Sequence, residues 1–287
     1  MKKLLLKQRN DTPHWVGDGF PVRSIFSYHD IANDISPFLL MDYAGPAEFS
    51  PSKHIRGVGE HPHRGFETVT IVYSGEVEHR DSSGGGGLIK AGDVQWMTAA
   101  SGLVHQEKHG KDFADKGGAF EMLQLWVNLP KKDKMSKPGY QGIKNEDIPV
   151  VEISNNAGMV RVIAGEYQDH KGPASTFTPI NLWDVRLNAG HITEFKVPQG
   201  QTTAVFVLDG QVTLNDGEVI GDAEIALLER SGESFTLNAT KNAKVLILTG
   251  EPINEPVVGY GPFVMNTTAE IGQALKDFEE GKMGRIS

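Results

Sequence analysis

The sequence predicts an all-β protein of two duplicated barrels or sandwiches that ends in one short α-helix. Three observations predict it: short β-rich runs recur between turns, two of these runs repeat in the same order later in the chain, and helical spacing marks the chain's end. The length of 287 residues, enough for about two ordinary domains with a core each, agrees with a duplication.

The strands come first. Thr68-Val69-Thr70-Ile71-Val72-Tyr73, Val94-Gln95-Trp96-Met97, residues 203–208 and residues 245–248 are rich in β-branched and aromatic side chains. The 33 glycines are scattered between such runs, which marks turns rather than disorder. Ile71-Val72-Tyr73-Ser74-Gly75-Glu76-Val77-Glu78 is echoed 135 residues later by Phe206-Val207-Leu208-Asp209-Gly210-Gln211-Val212-Thr213. Each copy leads to a Gly-Asp turn before an apolar strand, Gly92-Asp93-Val94 and Gly221-Asp222-Ala223. Between the copies, residues 130–139 are rich in lysine, bounded by prolines and free of apolar periodicity. They read as a solvated linker, with a docking patch for an acidic partner as the functional alternative. The chain therefore divides into an N-terminal domain, 1–134, and a C-terminal domain, 135–287. In the latter, Thr267 and Glu270 fit a capping box, Ile271, Ala274, Leu275 and Phe278 follow at helical spacing, and Gly281 ends the helix. Its apolar stripe is expected to pack on a barrel and carries no chemistry of its own.

Composition excludes several functions. No cysteine is present, which removes disulfides, thiolate metal sites and cysteine nucleophiles. A net charge of −9 disfavours direct binding to nucleic acid or anionic membranes. The longest apolar run, residues 204–208, is far short of the ~20 needed to cross a bilayer. The opening Met1-Lys2-Lys3-Leu4-Leu5-Leu6-Lys7 has too few leucines for a signal peptide, so a cytoplasmic protein is expected, and the sequons at Asn238 and Asn266 carry no weight.

Four residues stand out: His61 and His63 in His61-Pro62-His63-Arg64-Gly65-Phe66-Glu67, and His105 and Glu107 in Gly102-Leu103-Val104-His105-Gln106-Glu107. In extended chain, residues i and i+2 share a face, so each pair can present two ligands to one cavity. Three imidazoles and a carboxylate suit a divalent transition metal with open positions. His14, His29, His54, His170 and His191 lack such context and read as structural. His79 and His109 read first as solvated or locally hydrogen-bonded, and second as supports for the ligands. Gly84-Gly85-Gly86-Gly87 lacks the Lys-Ser/Thr of a phosphate loop and reads as a hairpin.

The stretch from His61 to Glu107 resembles the cupin motifs and, specifically, the pirin family. The resemblance rests on His61-Pro62-His63-Arg64-Gly65-Phe66-Glu67-Thr68-Val69-Thr70 and Gly92-Asp93-Val94-Gln95-Trp96-Met97-Thr98-Ala99 with the later His-x-Glu. It extends back to Gly17-Asp18-Gly19-Phe20 and Pro37-Phe38-Leu39-Leu40-Met41-Asp42. It extends forward to Glu255-Pro256-Val257-Val258 and Tyr260-Gly261-Pro262-Phe263-Val264-Met265-Asn266. It implies a bicupin, two cupin-type β-barrels with metal in the first, and places the ligands on His61, His63, His105 and Glu107. Other cupins commonly take a glutamate five residues after the second histidine, where Thr68 stands here. Glu67 is one residue early and faces the other way in a regular strand, although a bulge would return it to the cavity as a support. In the second copy, His61 and His63 correspond to Lys196 and Pro198, so that barrel is expected to hold no metal.

The resemblance implies a metal-dependent dioxygenase like quercetin 2,3-dioxygenase, which opens a flavonol-type ring with O2 and releases carbon monoxide. Glu107 would then take the substrate's hydroxyl proton, and Phe66, Trp96 and Met97 are candidate wall residues. Fe(II) is the first choice of metal, with Ni, Co, Mn, Cu or Zn also compatible with the ligand set. The alternative is an iron-dependent regulatory protein that binds a transcription factor or metabolic enzyme. A metal-dependent isomerase or sugar-binding cupin is a weaker third reading. A monomer is expected, because a bicupin already pairs two barrels.

Overall fold

Glycine turns cut the chain into short antiparallel strands, and the strands assemble into two copies of one topology. The computed structural model describes residues 1–215 and 217–286. The first copy has a seven-stranded sheet in the spatial order Gly139–Ile143, Val94–Thr98, Phe66–Ser74, Gly118–Asn128, Phe38–Phe49, Phe20–Ser27 and His14–Val16. Its four-stranded partner sheet runs Gly57–His63, Leu103–His109, Glu76–Asp81 and Gly86–Lys90. The second copy repeats this with Leu4–Arg9, Glu224–Leu228, Thr202–Asp209, Ala243–Gly250, Ile180–Leu187, Gly158–Ala164 and Val150–Ile153. Its smaller sheet runs His191–Lys196, Ser234–Ala239, Val212–Leu214 and Glu218–Ile220. Ile71 and Phe206, paired by the sequence repeat, both lie in the third strand of their seven-stranded sheets. The all-β, two-barrel expectation and the short C-terminal helix are what the structure has.

The chain's division differs from the contiguous 1–134 and 135–287 expected from sequence. One compact unit joins Met1–Asp11, Tyr28–Pro37 and Glu146–Pro252; the other joins Thr12–Ser27, Phe38–Asn145 and Ile253–Ser287. The reason is strand pairing. Leu4–Arg9 adds to Glu224–Leu228 in the second barrel, and Gly139–Ile143 adds to Val94–Thr98 in the first. The leucines of the opening run thus belong to a strand. It is anchored by buried Lys2, whose Nζ donates to the carbonyls of Gln201, Glu229 and Arg230 at 3.0–3.2 Å.

The C-terminal helix, Thr268–Glu279, belongs to the first barrel's unit. Its cap forms as expected, with Thr267 Oγ1 accepting from the Glu270 N–H. Ile271 and Ala274 pack with Val104, Phe263, Met265 and Met283, whereas Leu275 and Phe278 stay partly exposed. The place expected for a full apolar stripe is shared with the buried Asp277.

The second barrel is filled by carbon. Phe195 and Phe235 stack at 5.6 Å beside Trp183, Tyr167 and Leu237, all buried. Each large side chain so buried contributes roughly 1.5–3 kcal/mol. Among the described residues, no helix is long and apolar enough to cross a membrane.

Candidate metal centre

The three histidines meet because two adjacent strands carry them. Gly57–His63 pairs antiparallel with Leu103–His109, placing His105 directly opposite His61 and Leu103 opposite His63. A bulge after His105 shifts the register before Glu107, which lies opposite Val58. The ligand nitrogens of His61, His63 and His105 lie within 4.8 Å of one another, and the Nε2 atoms of His61 and His105 are 2.8 Å apart. His63 and His105 are buried, while His61 is half-buried and gives the site its solvent side.

Backbone carbonyls orient two of the rings. A carbonyl only accepts, so the contacts from His61 Nδ1 to Gly59 O (2.8 Å) and from His63 Nδ1 to Pro262 O (3.4 Å) place the protons on Nδ1. Both Nε2 lone pairs remain for a ligand. Burial, reinforced by the neighbouring imidazoles, pushes the pKa values of His63 and His105 well below 6.5, which keeps both rings neutral. A nitrogen lone pair of His61 held 2.8 Å from another imidazole nitrogen, among neutral buried rings, is the donor arrangement a divalent transition cation takes. The residues fit a metal held by His61, His63 and His105.

Glu107 is buried one pleat from His105, but its carboxylate groups with His79 and His105 rather than with His61 and His63. Gln95 Nε2 donates to Oε1 at 2.7 Å, Thr70 Oγ1 to Oε1 at 3.3 Å, and Gln124 Nε2 to Oε2 at 3.0 Å. Thr70, Gln95 and Gln124 occupy paired positions on three neighbouring strands, so one row of the barrel interior holds this carboxylate. Gln95 lies inside the motif that carries the resemblance, yet no residue pattern there distinguishes an amide aimed at Glu107 from an ordinary strand position.

Of the remaining readings, those of Trp96 and His79 change, while Glu67 and His109 keep the orientation and local bonding expected first. Glu67 stays on the opposite face because its strand pairs with Val94–Thr98 without a bulge. It accepts from Thr98 Oγ1 at 2.7 Å, and burial pushes its pKa up to about 7. Trp96 shares Glu67's face of the sheet and is no wall of the centre, whereas Phe66 packs on His63 at 5.1 Å and on Trp126 at 4.3 Å. His79 contacts the centre directly: its Nδ1 is 3.3 Å from His105 Nδ1 and its Nε2 3.0 Å from Asp81 Oδ2. His109 is instead a locally bonded histidine, donating to Gly19 O at 2.9 Å among Phe20, Phe49 and Phe120.

The C-terminal segment also shapes the centre. The chain 260–265 supplies Pro262 O to His63, and the Val264 N–H donates to Arg64 O at 3.0 Å. Arg64, buried beside His63, donates to Ser101 O at 2.7 Å and to Asp277 Oδ2 of the helix at 2.9 Å. Gly65 has φ +91°, and a Cβ there would stand 2.0 Å from Val264 O, so only glycine fits this turn. Lys134 lies in the stretch expected to be a solvated linker, yet it is buried. Its Nζ donates to Gly65 O, Asn128 Oδ1 and Val264 O at 2.6–3.0 Å, one acceptor for each ammonium hydrogen.

Comparison with known proteins agrees with this architecture. Residues 19–127 match the pirin family, and residues 182–284 match the pirin C-terminal cupin domain. A Pseudomonas aeruginosa protein with the provisional name quercetin 2,3-dioxygenase is 55% identical over 285 residues, with 99% of each chain covered. The crystal structure of quercetin 2,3-dioxygenase from Acinetobacter baumannii is 55% identical, covers 100% of both chains and superposes with a TM-score of 0.98. A bacterial pirin from Escherichia coli, solved in complex with nickel(II), shares the fold at a TM-score of 0.64 and 19% identity, over 86% of this chain and 99% of its own. With both barrels matched in order along the chain, the protein belongs to the pirin family.

Proposed function

We propose that the protein is a metal-dependent dioxygenase of the quercetin 2,3-dioxygenase type, opening a flavonol-type ring with O2. The observation that carries this reading is the convergence of His61, His63 and His105 on one point, in a chain 55% identical over its whole length to a protein with that name. A divalent transition metal held by these imidazoles would supply Lewis acidity toward a substrate hydroxyl and electronic access to O2. Fe(II) is our first assignment, and the ligand set also admits Ni, Co, Mn, Cu and Zn.

We assign Glu107 the fourth ligand position and the task of accepting the flavonol hydroxyl proton. The amides of Gln95 and Gln124 give its carboxylate a resting place beside His105, the imidazole it shares a cluster with. Trp126, half-buried and packed beside His63 and against the buried Phe66, offers an aromatic surface for the substrate's ring. Ring opening consumes O2 and releases carbon monoxide, so no external reductant is required. The test is aerobic decay of flavonol absorbance with iron-loaded protein. Turnover that disappears in folded His63→Ala is the expected result. Absence of turnover with all six metals across several flavonols would eliminate the reading.

A further inference from the structure

We propose that His79 is a positioning residue that presents His105 to the metal through Nε2, with Asp81 fixing His79 in turn. The inference rests on His105 being a ligand, as read above. The protons can be followed along the chain of contacts. Asp81 Oδ1 accepts from the Ser83 N–H, the Ser83 hydroxyl and the Gly85 N–H at 2.8, 2.6 and 3.0 Å. Its other oxygen, Oδ2, is left for His79 Nε2 at 3.0 Å. A carboxylate only accepts, so His79 carries a proton on Nε2, and in the neutral ring Nδ1 is then a lone pair. His105 Nδ1, 3.3 Å away, is then the donor, and His105 Nε2 is bare. That bare nitrogen faces the bare Nε2 of His61 at 2.8 Å. Two lone pairs at that separation repel until a cation lies between them, so the relay builds cation affinity into the pair.

The surroundings hold the relay in place. Cross-strand pairing sets Asp81 opposite His105 and His79 opposite Glu107. Tyr140 stacks on His79 at 5.0 Å and 13°, and His79 is fully buried. A Cβ on Gly85 would stand 2.4 Å from Asp81 Oδ2 and 2.7 Å from Tyr140 Cβ, so glycine lets the hairpin close over this carboxylate. The glycine run that reads as a plain hairpin thus also seats Asp81.

The test measures Zn(II) affinity by chelator competition in wild type, His79→Leu, His79→Asn and His105→Ala, with circular dichroism to confirm folding. His79→Leu is expected to bind about 10–100-fold more weakly. His79→Asn, whose amide oxygen can accept from His105 Nδ1–H, is expected to recover most of the loss. Nitrogen-15 NMR of the Zn(II)-loaded wild type should find His105 protonated on Nδ1. Wild-type affinity in folded His79→Leu, or a proton on His105 Nε2, would overturn the relay. Should His79→Leu fail to fold, His79→Asn binding as weakly as His105→Ala would also overturn it. Undiminished affinity in His105→Ala would instead show that the ligand reading itself fails.

Discussion

His63 and His105 show how much chemistry two neutral rings can hold when water is removed. In the unfolded chain they take up protons near the ordinary 6.5, whereas burial first, and the adjacent imidazoles second, push their folded values well below it. Between those values the unfolded state binds more protons, so these two rings cost the metal-free protein no stability above about pH 6.5 and destabilise it progressively as pH falls below that value. Chelator-treated protein should therefore melt at a lower temperature at pH 5.5 than at pH 7.5. The difference should shrink in His63→Leu/His105→Leu and persist in part, because buried His109 is shifted the same way. An unchanged pH difference in that variant would contradict the assignment. The His-x-His and His-x-Glu pairs were legible because alternation along a strand is a local property. The amides on Glu107 and the relay through His79 were not, since they depend on which strands lie side by side.

At the scale of elements, the C-terminal helix carries more than its capping box and spacing announce. Asp277 is held well below the usual carboxylate range by hydrogen bonds from Arg64, Lys282 and Gln273. Its partner Arg64 is 213 residues away, next to a metal ligand. Removing one member of a nearly buried ion pair leaves the other charge uncompensated, at a cost of about 3–5 kcal/mol. Asp277→Ala is expected to lower the unfolding free energy, read from urea titration, by that order and to weaken metal binding, since Arg64 adjoins His63. A variant with wild-type stability and affinity would show that the helix is only packing. The loop around Lys134 teaches the same lesson. Composition reads its lysines as solvated, but three converging acceptors bury one of them against the Gly65 turn. Long-range pairing of this kind leaves no trace in local composition.

Across the whole molecule, the duplication was readable from two short matching stretches, and the sheet orders extend it to every strand of both barrels. The exchange of edge strands was not readable, because Leu4–Arg9 and Gly139–Ile143 show no sequence preference for one barrel over the other. The two interiors have parted in chemistry. The first brings together imidazoles, Glu107 and amides, while the second closes on Phe195, Phe235 and Trp183. The central claim is that the first interior is a metal centre built on His61, His63 and His105. Metal analysis of the purified wild type and of His61→Ala/His105→Ala tests it most directly. One divalent transition ion per wild-type chain and none in the folded double variant is the expected result. Metal retained undiminished in that variant, or a wild type that takes up no divalent ion, would contradict it.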